Sequence, residues 1–228
     1  MDEKKPPVVF LENVRNLVSH DKGKTLVTIE ENLIMDLGYK LKYGLFNARH
    51  YGNLPQNRDR VYIVGFMEQE MFDQFEFPEE TPLTTELFGE LIDISVEAPK
   101  QYYQVNMRSA AVRAMHAEIT EKYVIYQSRR SKIRANKTGV SPCLTASMGT
   151  GGHNVPLILD DYGIRKLTPR ECFLLQGFPP DFRFPEGMLD SRLYKQAGNS
   201  IPLGVVSRIA ENIIKSFEFR KTYGNDNN

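Results

Sequence analysis

The stretch PVVFLEN at residues 7–13 is a short apolar run that stops at a Glu-Asn pair. A run of this length is typical of a buried strand, and we interpret it as a parallel strand ending in a polar loop. Residues 25–37 follow with apolar side chains at helical spacing, and Gly38 is a suitable residue to end that helix. The start of the chain therefore predicts an α/β fold.

Two further apolar runs, at residues 39–47 and 60–66, predict strands, and the loop 48–59 lies between them. The first 66 residues are thus expected to form one piece of an α/β sheet. Parallel sheets need neighbours that cover both faces, and this piece supplies few of them. We therefore expect a partner chain or a second copy to complete the sheet.

The character of the sequence changes after Phe66. Residues 67–164 contain prolines, short β-prone runs and a glycine-rich stretch, which favours a small, irregular, mostly β domain. Helical signals return after Leu167, and residues 168–171, TPRE, predict a capping box with proline at the first helical position. We predict domains at 1–66, 67–164 and 165–216, with a last helix over about 202–216 and a tail at 217–228, of which residues 221–228 are expected to be disordered.

The composition is that of an ordinary globular protein, with 41% hydrophobic and 25% charged residues in a chain of 228. No apolar run approaches the roughly 20 residues that span a bilayer, and the first residues lack a signal-peptide core, so we expect a cytoplasmic protein. Cys143 and Cys172 are too few for a disulfide framework or a cysteine-rich zinc site. The four histidines are scattered, and no metal site is predicted.

The formal net charge is zero, but its distribution is uneven. Residues 67–99 contain ten acidic residues and no basic ones, whereas residues 100–140 contain nine basic residues against two acidic ones, a net charge of +7. Such a basic stripe suits the neutralisation of phosphates. A solvated loop balanced by the acidic block is the other interpretation. The densest cluster consists of Arg129, Arg130, Lys132, Arg134 and Lys137.

Four motifs occur in a fixed order along the chain. They are FLENV at 10–14, PQNRDRVYIVGF at 55–66, RKLTPRECFLLQGFP at 165–179 and YKQAGNSIP at 194–202. Together they resemble the bacterial DNA cytosine-5 methyltransferase family, with its Glu-Asn-Val, Gln-x-Arg-x-Arg, Arg-x-Leu-x-x-Arg-Glu and Gly-Asn-Ser motifs. The resemblance covers nearly the whole chain except about 67–125. It implies part of a Rossmann-like, S-adenosylmethionine-dependent methyltransferase sheet, joined to a small DNA target-recognition domain.

The resemblance also assigns chemistry to three side chains. In this family a cysteine thiolate adds to cytosine C6, after the base is flipped out of the duplex, and makes C5 nucleophilic. Glu12 is then expected to share or donate a proton at N3, and Arg60 to stabilise negative charge at O2, with Arg58 supporting the site. The other interpretation is a surface carboxylate at Glu12 and a loop salt-bridge network for the two arginines.

The resemblance further predicts binding residues. Asn199 and Ser200 are expected to contact S-adenosylmethionine, although helix capping would also explain them, and residues 165–171 are expected to be mainly structural. The stretch SPCLTASMGTGGHN at 141–154 resembles the target-recognition loops, with Cys143-Leu144 where the family usually has Thr-Leu, so that Thr145 could supply the phosphate contact. The residues predicted to contact DNA are Gln56, Arg129, Arg130, Lys132, Arg134, Lys137, Leu144, Thr145, Ser147, Gly149, Gly151 and Gly152.

Two family segments do not occur in these 228 residues: the donor-binding Phe-x-Gly-x-Gly and the Pro-Cys-Gln loop with the nucleophile. Cys143 follows a proline but precedes leucine, and both cysteines are expected to be buried structural thiols. We therefore expect the C-terminal subunit of a split enzyme in a restriction–modification system. Such a subunit would bind double-stranded DNA and an N-terminal subunit that carries the thiol and the rest of the S-adenosylmethionine site. A truncated remnant, an isolated domain and a non-catalytic, sequence-specific DNA-binding module are the alternatives.

Overall fold

The computed structural model describes residues 3–103, 113, 117–129, 132–149 and 155–223. The chain forms two compact units. The first unit contains residues 1–47, 59–81 and 205–228, and the second contains residues 48–58 and 82–204. The domain boundaries predicted from the sequence, after 66, 164 and 216, stay predictions.

The strands are numbered in chain order as follows: β1 (Val8–Val14), β2 (Lys40–Asn47), β3 (Gln56–Asn57), β4 (Asp59–Phe66), β5 (Ile125–Arg129), β6 (Lys132–Asn136), β7 (Ser141–Pro142), β8 (Leu157–Leu159) and β9 (Ile164–Lys166). The α-helices are α1 (Lys24–Glu31), α2 (Ala48–Gly52), α3 (Gln69–Gln74), α4 (Pro169–Leu174), α5 (Asp190–Asn199) and α6 (Leu203–Tyr223). Short 3₁₀ turns lie at Arg15–Val18, His20–Gly23, Lys100–Tyr102 and Ala146–Gly149, and a π-helical turn at Asn32–Asp36 follows α1.

The first unit contains a three-stranded sheet in the order β1-β4-β2. The central strand β4 is buried from Val61 to Phe66. It pairs antiparallel with both β1 and β2, so the parallel pairing predicted for residues 7–13 is wrong. An apolar run reports that a strand is buried, but it carries no information on the direction of the neighbour to which the strand is hydrogen-bonded.

The two faces of this sheet carry different side chains, because successive residues of a strand point to opposite faces. On one face Val61 and Ile63 pack with Leu11 of β1 and Leu26 of α1. On the other face Tyr62 contacts two aromatic rings, Phe10 at 5.8 Å and Phe46 at 6.0 Å between centroids. Glu12 and Arg60 lie on this second, aromatic face.

The second unit contains a four-stranded sheet in the order β6-β5-β8-β9 and a short parallel pair, β3 with β7. Its main hydrophobic core joins β5 and β8 to α4 and α5. The buried residues of that core include Ile125, Leu144, Met148, Ile158, Leu167, Cys172, Phe173, Leu193, Tyr194 and Ala197. The segment 48–59, predicted to be a loop, contains α2 and β3. Residues 48–58 belong to this unit, whereas Asp59 belongs to the first.

The start of α4 confirms the capping signals. The Thr168 hydroxyl accepts a hydrogen bond from the Glu171 amide, and the Glu171 carboxylate accepts one from the Thr168 amide. Pro169 is the first helical residue, where a missing N–H costs nothing. Gly177 follows the helix with a φ of 86°, a left-handed conformation that glycine adopts without strain.

The last helix is longer than predicted. It runs to Tyr223, beyond the end predicted at residue 216, so the disorder predicted from residue 221 is wrong for residues 221–223. Residues 217–223 contain no glycine or proline, and the first such residue is Gly224. No helix in the described part of the chain is apolar enough over a sufficient length to cross a membrane.

Candidate active site

Glu12 and Arg60 form an ion pair on the aromatic face of the first unit. Their strands pair so that Arg60 lies opposite Val14 and Glu12 lies opposite Tyr62, which makes the two side chains diagonal neighbours on one face. Arg60 Nε lies 2.8 Å from Glu12 Oε1. The arginine side chain is 12% exposed and the carboxylate 30%, so the pair is accessible while largely shielded from water.

Asp59 contacts Arg60 through its backbone and two further side chains through its carboxylate. Its backbone carbonyl accepts a hydrogen bond from Arg60 Nη1 at 2.7 Å. Its carboxylate accepts hydrogen bonds from Arg15 at 2.9 Å and from the Asn47 amide at 2.7 Å. Arg15 and Asp59 thus form a second ion pair, and the Asp59 backbone links it to the Glu12–Arg60 pair. Sequence reasoning missed Asp59 and Asn47, although Asp59 stands inside PQNRDR between the two arginines.

Arg58, in the second unit, is 1% exposed and does not reach solvent. Its guanidinium donates to three backbone carbonyls: Leu144 at 2.8 Å, Gly198 at 3.1 Å and Ser200 at 2.6 Å. It also lies 3.3 Å from the Cys143 sulfur. A side chain enclosed in this way ties together segments 143–144 and 198–200, and the catalytic role predicted for Arg58 stays a prediction.

Gln56 and Leu144 are buried as well, at 0% and 1% exposure. The Gln56 side chain donates to the Leu175 carbonyl and accepts from the Leu144 amide. The Leu144 side chain belongs to the hydrophobic core of the second unit. The structure thus buries both side chains within the second unit, and the DNA contact predicted for them stays a prediction.

The Gly-Asn-Ser motif closes α5. A Cβ atom on Gly198 would lie 2.1 Å from the Thr145 carbonyl carbon, so only glycine permits this backbone approach. The Ser200 hydroxyl donates to the Ala197 carbonyl, and the Ser200 amide donates to the Gln196 carbonyl. Asn199 is exposed. Of the two residues predicted to contact S-adenosylmethionine, Asn199 thus offers a solvent-facing amide, whereas Ser200 is engaged in ending the helix.

Residues 165–171 build a buried ion network, as their predicted structural role requires. Arg165 Nε donates to Asp160 at 2.6 Å, and its two terminal nitrogens bind both Glu171 oxygens at 2.8 Å. The Arg165 and Asp160 side chains are at most 2% exposed. The bidentate geometry explains why arginine and glutamate stand in this motif.

The two thiols differ in their surroundings. Cys172 is completely buried, and burial raises the pKa of its thiol well above the usual value. A thiol held protonated in this way is not a nucleophile. Cys143 is half-buried, and its sulfur accepts from Arg58 and donates to the Leu144 carbonyl. Cys172 therefore fits the predicted buried structural thiol, whereas Cys143 is less buried than expected.

The residues of the basic stripe are mostly exposed. Lys132 and Arg134 are exposed on β6, and Lys137 is exposed and paired with Glu121. Thr145 and Ser147 are also exposed, and their hydroxyls lie 2.8 Å apart. These residues stay predicted DNA contacts.

The other five predicted DNA contacts are a packed glycine and four residues whose side chains the structure does not describe. A Cβ atom on Gly149 would lie 2.3 Å from the Ser191 carbonyl oxygen, so this glycine is needed for packing on α5. Arg130, Gly151 and Gly152 lie outside the described residues, and Arg129 is described only in its backbone. In the described part of the chain, no three His, Cys, Asp or Glu side chains come together as a group that could hold a metal ion.

Comparison with known proteins defines the class to which this fold and these motifs belong. Residues 1–215 match the family model of C-5 cytosine-specific DNA methylases. The chain therefore belongs to the C-5 cytosine-specific DNA methylase family, whose members are S-adenosylmethionine-dependent methyltransferases.

Individual relatives place the chain more closely. It is 50% identical over 213 residues to the type II methyltransferase M.Bsp6I from Bacillus sp. (strain RFL6), a match that covers 93% of this chain and 67% of the relative. It is 34% identical over 217 residues to the type II methyltransferase M.SsoII from Shigella sonnei, covering 95% of this chain and 55% of the relative. The chain thus spans about two thirds or less of the length of these relatives.

Solved structures agree at the level of the fold. The Dnmt2 methyltransferase of S. pombe aligns with a TM-score of 0.62 at 16% identity, covering 96% of this chain and 66% of that one. The Entamoeba histolytica methyltransferase EhMeth aligns with a TM-score of 0.61 at 17% identity, covering 93% and 63%.

Proposed function

We propose that this chain is the part of a DNA cytosine-5 methyltransferase that activates the cytosine and recognises DNA. The observation that carries the proposal is the Glu12–Arg60 ion pair, which lies on one sheet face of a chain that belongs to the family. The type II methyltransferases among its relatives favour a role in a restriction–modification system.

The pair has two atoms left for a ligand. Arg60 uses Nε for Glu12 and Nη1 for the Asp59 carbonyl, which leaves Nη2 without a hydrogen bond to any described residue. Glu12 uses Oε1, and within the described ranges Oε2 has no partner. A carboxyl oxygen beside a guanidinium nitrogen complements the N3 and O2 edge of a cytosine, which the enzyme must flip out of the duplex to reach.

These two atoms define the chemistry of this chain. When a thiolate adds to C6, electron density moves towards N3 and O2. The proton that N3 takes up enters from solvent and is held between N3 and the Glu12 carboxylate, and the Arg60 guanidinium stabilises the charge at O2. C5 then has the enamine character needed to accept a methyl group, which S-adenosylmethionine supplies when it is bound. Asn199, whose side chain is exposed, is the residue that we propose contacts that donor.

We propose that the attacking thiolate comes from outside these 228 residues. The sequence contains no Pro-Cys-Gln segment, and the fully buried Cys172 thiol is held protonated. Cys143 is held by Arg58 in the second unit and follows, rather than precedes, the Gln-x-Arg-x-Arg motif. We propose that a partner subunit carries the missing segments.

The experiment mixes this chain with a polypeptide that carries the Phe-x-Gly-x-Gly and Pro-Cys-Gln segments. The probe is a randomised duplex DNA pool with 5-fluorocytosine in place of cytosine, together with S-adenosylmethionine, and the readout is the rate of covalent protein–DNA complex formation. Glu12→Gln removes the carboxylate that holds the proton at N3 while keeping the size of the side chain, and we expect a decrease of about 10²–10⁴-fold. Glu31→Gln, an exposed change on α1, is the matched control and should leave the rate unchanged.

The same experiment distinguishes the proposed enzyme from a DNA-binding module without catalysis. A DNA-binding module without catalysis would bind the pool and form no covalent complex. Trapping by Glu12→Gln at the wild-type rate would show that another group activates N3.

A further inference from the structure

The second unit contains a polar cleft between β6 and α2. A cavity of about 630 Å³ is lined by Arg49, His50, Asn57 and the segment 134–138. A second cavity of about 220 Å³ shares Asn57, Arg134 and Asn136 with it and continues to Gln127 and Cys143. The two cavities adjoin at these shared residues, and we call them together the cleft.

The floor of the cleft presents an arginine next to an amide. Gln127 of β5 and Arg134 of β6 are directly opposite each other in the antiparallel register, so both side chains point to the same face. Gln127 is half-buried and Arg134 is exposed. Among the described residues, neither side chain makes a hydrogen bond or ion pair, so their donors and acceptors are available to a ligand.

The frame around this pair is held by its own hydrogen bonds. The Asn136 amide donates to the Val140 carbonyl at 2.6 Å, and its oxygen accepts from the Thr138 amide and hydroxyl. Beyond this turn, β7 pairs with β3, with Asn57 opposite Pro142. A site on hydrogen-bonded strands holds its side chains more accurately than a free loop does.

The chemistry of the cleft matches the edges of DNA bases. An arginine binds guanine O6 and N7 with two hydrogen bonds, and a glutamine offers a matching donor and acceptor to adenine. A two-stranded ribbon such as β5–β6 fits the major groove. Cations rim the cleft at Arg49 and Lys137, no carboxylate lines its described part, and the carboxylate of Glu121 lies on Lys137.

We propose that Arg134 and Gln127 are specificity-determining residues that read base edges in the major groove, Arg134 at a guanine and Gln127 at the neighbouring base pair. Arg49, at the rim, binds an adjacent phosphate. This inference rests on the proposed function as a DNA methyltransferase and deepens it, because it assigns base recognition to two side chains. It also gives Arg134 a different role from Lys132, which is an exposed cation on the same strand but does not line the cleft.

The test uses the whole chain and a duplex DNA pool with a randomised central segment, with sequencing of the bound and free fractions. Arg134→Lys keeps the charge but loses the two-pronged geometry. We expect it to keep most of the overall affinity and to lose roughly tenfold in guanine preference at one position. Gln127→Leu should relax preference at the neighbouring position. Lys132→Ala, the control, should weaken binding to all sequences and keep the preferences.

The outcomes distinguish this inference from the proposed function. If the wild-type chain selects sequences and Arg134→Lys selects the same ones, the cleft binds only phosphate and the inference is wrong, while the proposed function stands. If the wild-type chain binds the pool without any preference, or does not bind it, both this inference and the DNA-recognition part of the proposed function fail. Unchanged unfolding temperatures of the variants show that the effects arise at the cleft.

Discussion

Replacing Arg58 with methionine removes a buried guanidinium that holds three backbone carbonyls in the second unit. The carbonyls of Leu144, Gly198 and Ser200 accept from it at 2.6–3.1 Å, and the side chain is 1% exposed, so water cannot take its place without rearrangement. A buried polar group that loses its partner costs about 1–3 kcal/mol. Methionine fills most of the volume and removes the cost of burying a charge, which offsets part of that loss.

We therefore expect Arg58→Met to lower the free energy of unfolding by about 3 kcal/mol. In a chain of this size each kcal/mol lowers the unfolding temperature by roughly 2–4 °C, which gives a decrease of about 6–12 °C. Scanning calorimetry measures this directly. Arg134→Met is the matched control, because its arginine is exposed, and it should change stability by no more than about 0.5 kcal/mol.

A structural role for Arg58 would be refuted if Arg58→Met and Arg134→Met unfold at the same temperature. Arg58→Lys is informative as well, because lysine keeps the charge but places its donors at one point. We expect it to remain nearly as unstable as the methionine variant.

Three further predictions follow from the same unit. Gly198→Ala places a Cβ atom 2.1 Å from the Thr145 backbone, so we expect it to destabilise the protein by about 1–3 kcal/mol in urea unfolding, and wild-type stability would contradict the contact. Arg165→Met leaves the Asp160 and Glu171 carboxylates without their cation, and we expect a loss of about 3–5 kcal/mol, whereas an unchanged midpoint would show that the network is not formed. Because burial raises the pKa of the Cys172 thiol, that thiol should stay protonated at pH 8 and resist alkylation until the chain unfolds, while Cys143 reacts first. Mass spectrometry of peptides identifies the modified cysteine, and early labelling of Cys172 would contradict the structure.

Sequence reasoning located the strands and the capping box well, because these depend on neighbouring residues. The apolar runs at 7–13 and 60–66 are strands, and Thr168 and Glu171 cap a helix through contacts only three residues apart. The relative direction of paired strands could not be predicted in this way, since the pairing of β1 with β4 joins residues about fifty positions apart. Local periodicity contains no record of such a pairing.

The candidate site was predicted in part for the same reason. Glu12 and Arg60 were found through their motifs, and the structure joins them at 2.8 Å. Arg58 stands two residues away in the same motif, yet it is buried, because residues 144, 198 and 200 surround it. Burial of this kind depends on contacts over 86–142 positions, which a motif alone does not show.

The measurement that tests the central claim most directly is methyl transfer from labelled S-adenosylmethionine into duplex DNA. Three samples are compared: this chain, a polypeptide with the Pro-Cys-Gln segment, and their mixture. If this chain supplies the activating pair and the thiol lies elsewhere, only the mixture transfers label, and Glu12→Gln in this chain abolishes nearly all of it. Label transferred by this chain alone would contradict the account, as would a mixture that binds DNA and transfers none.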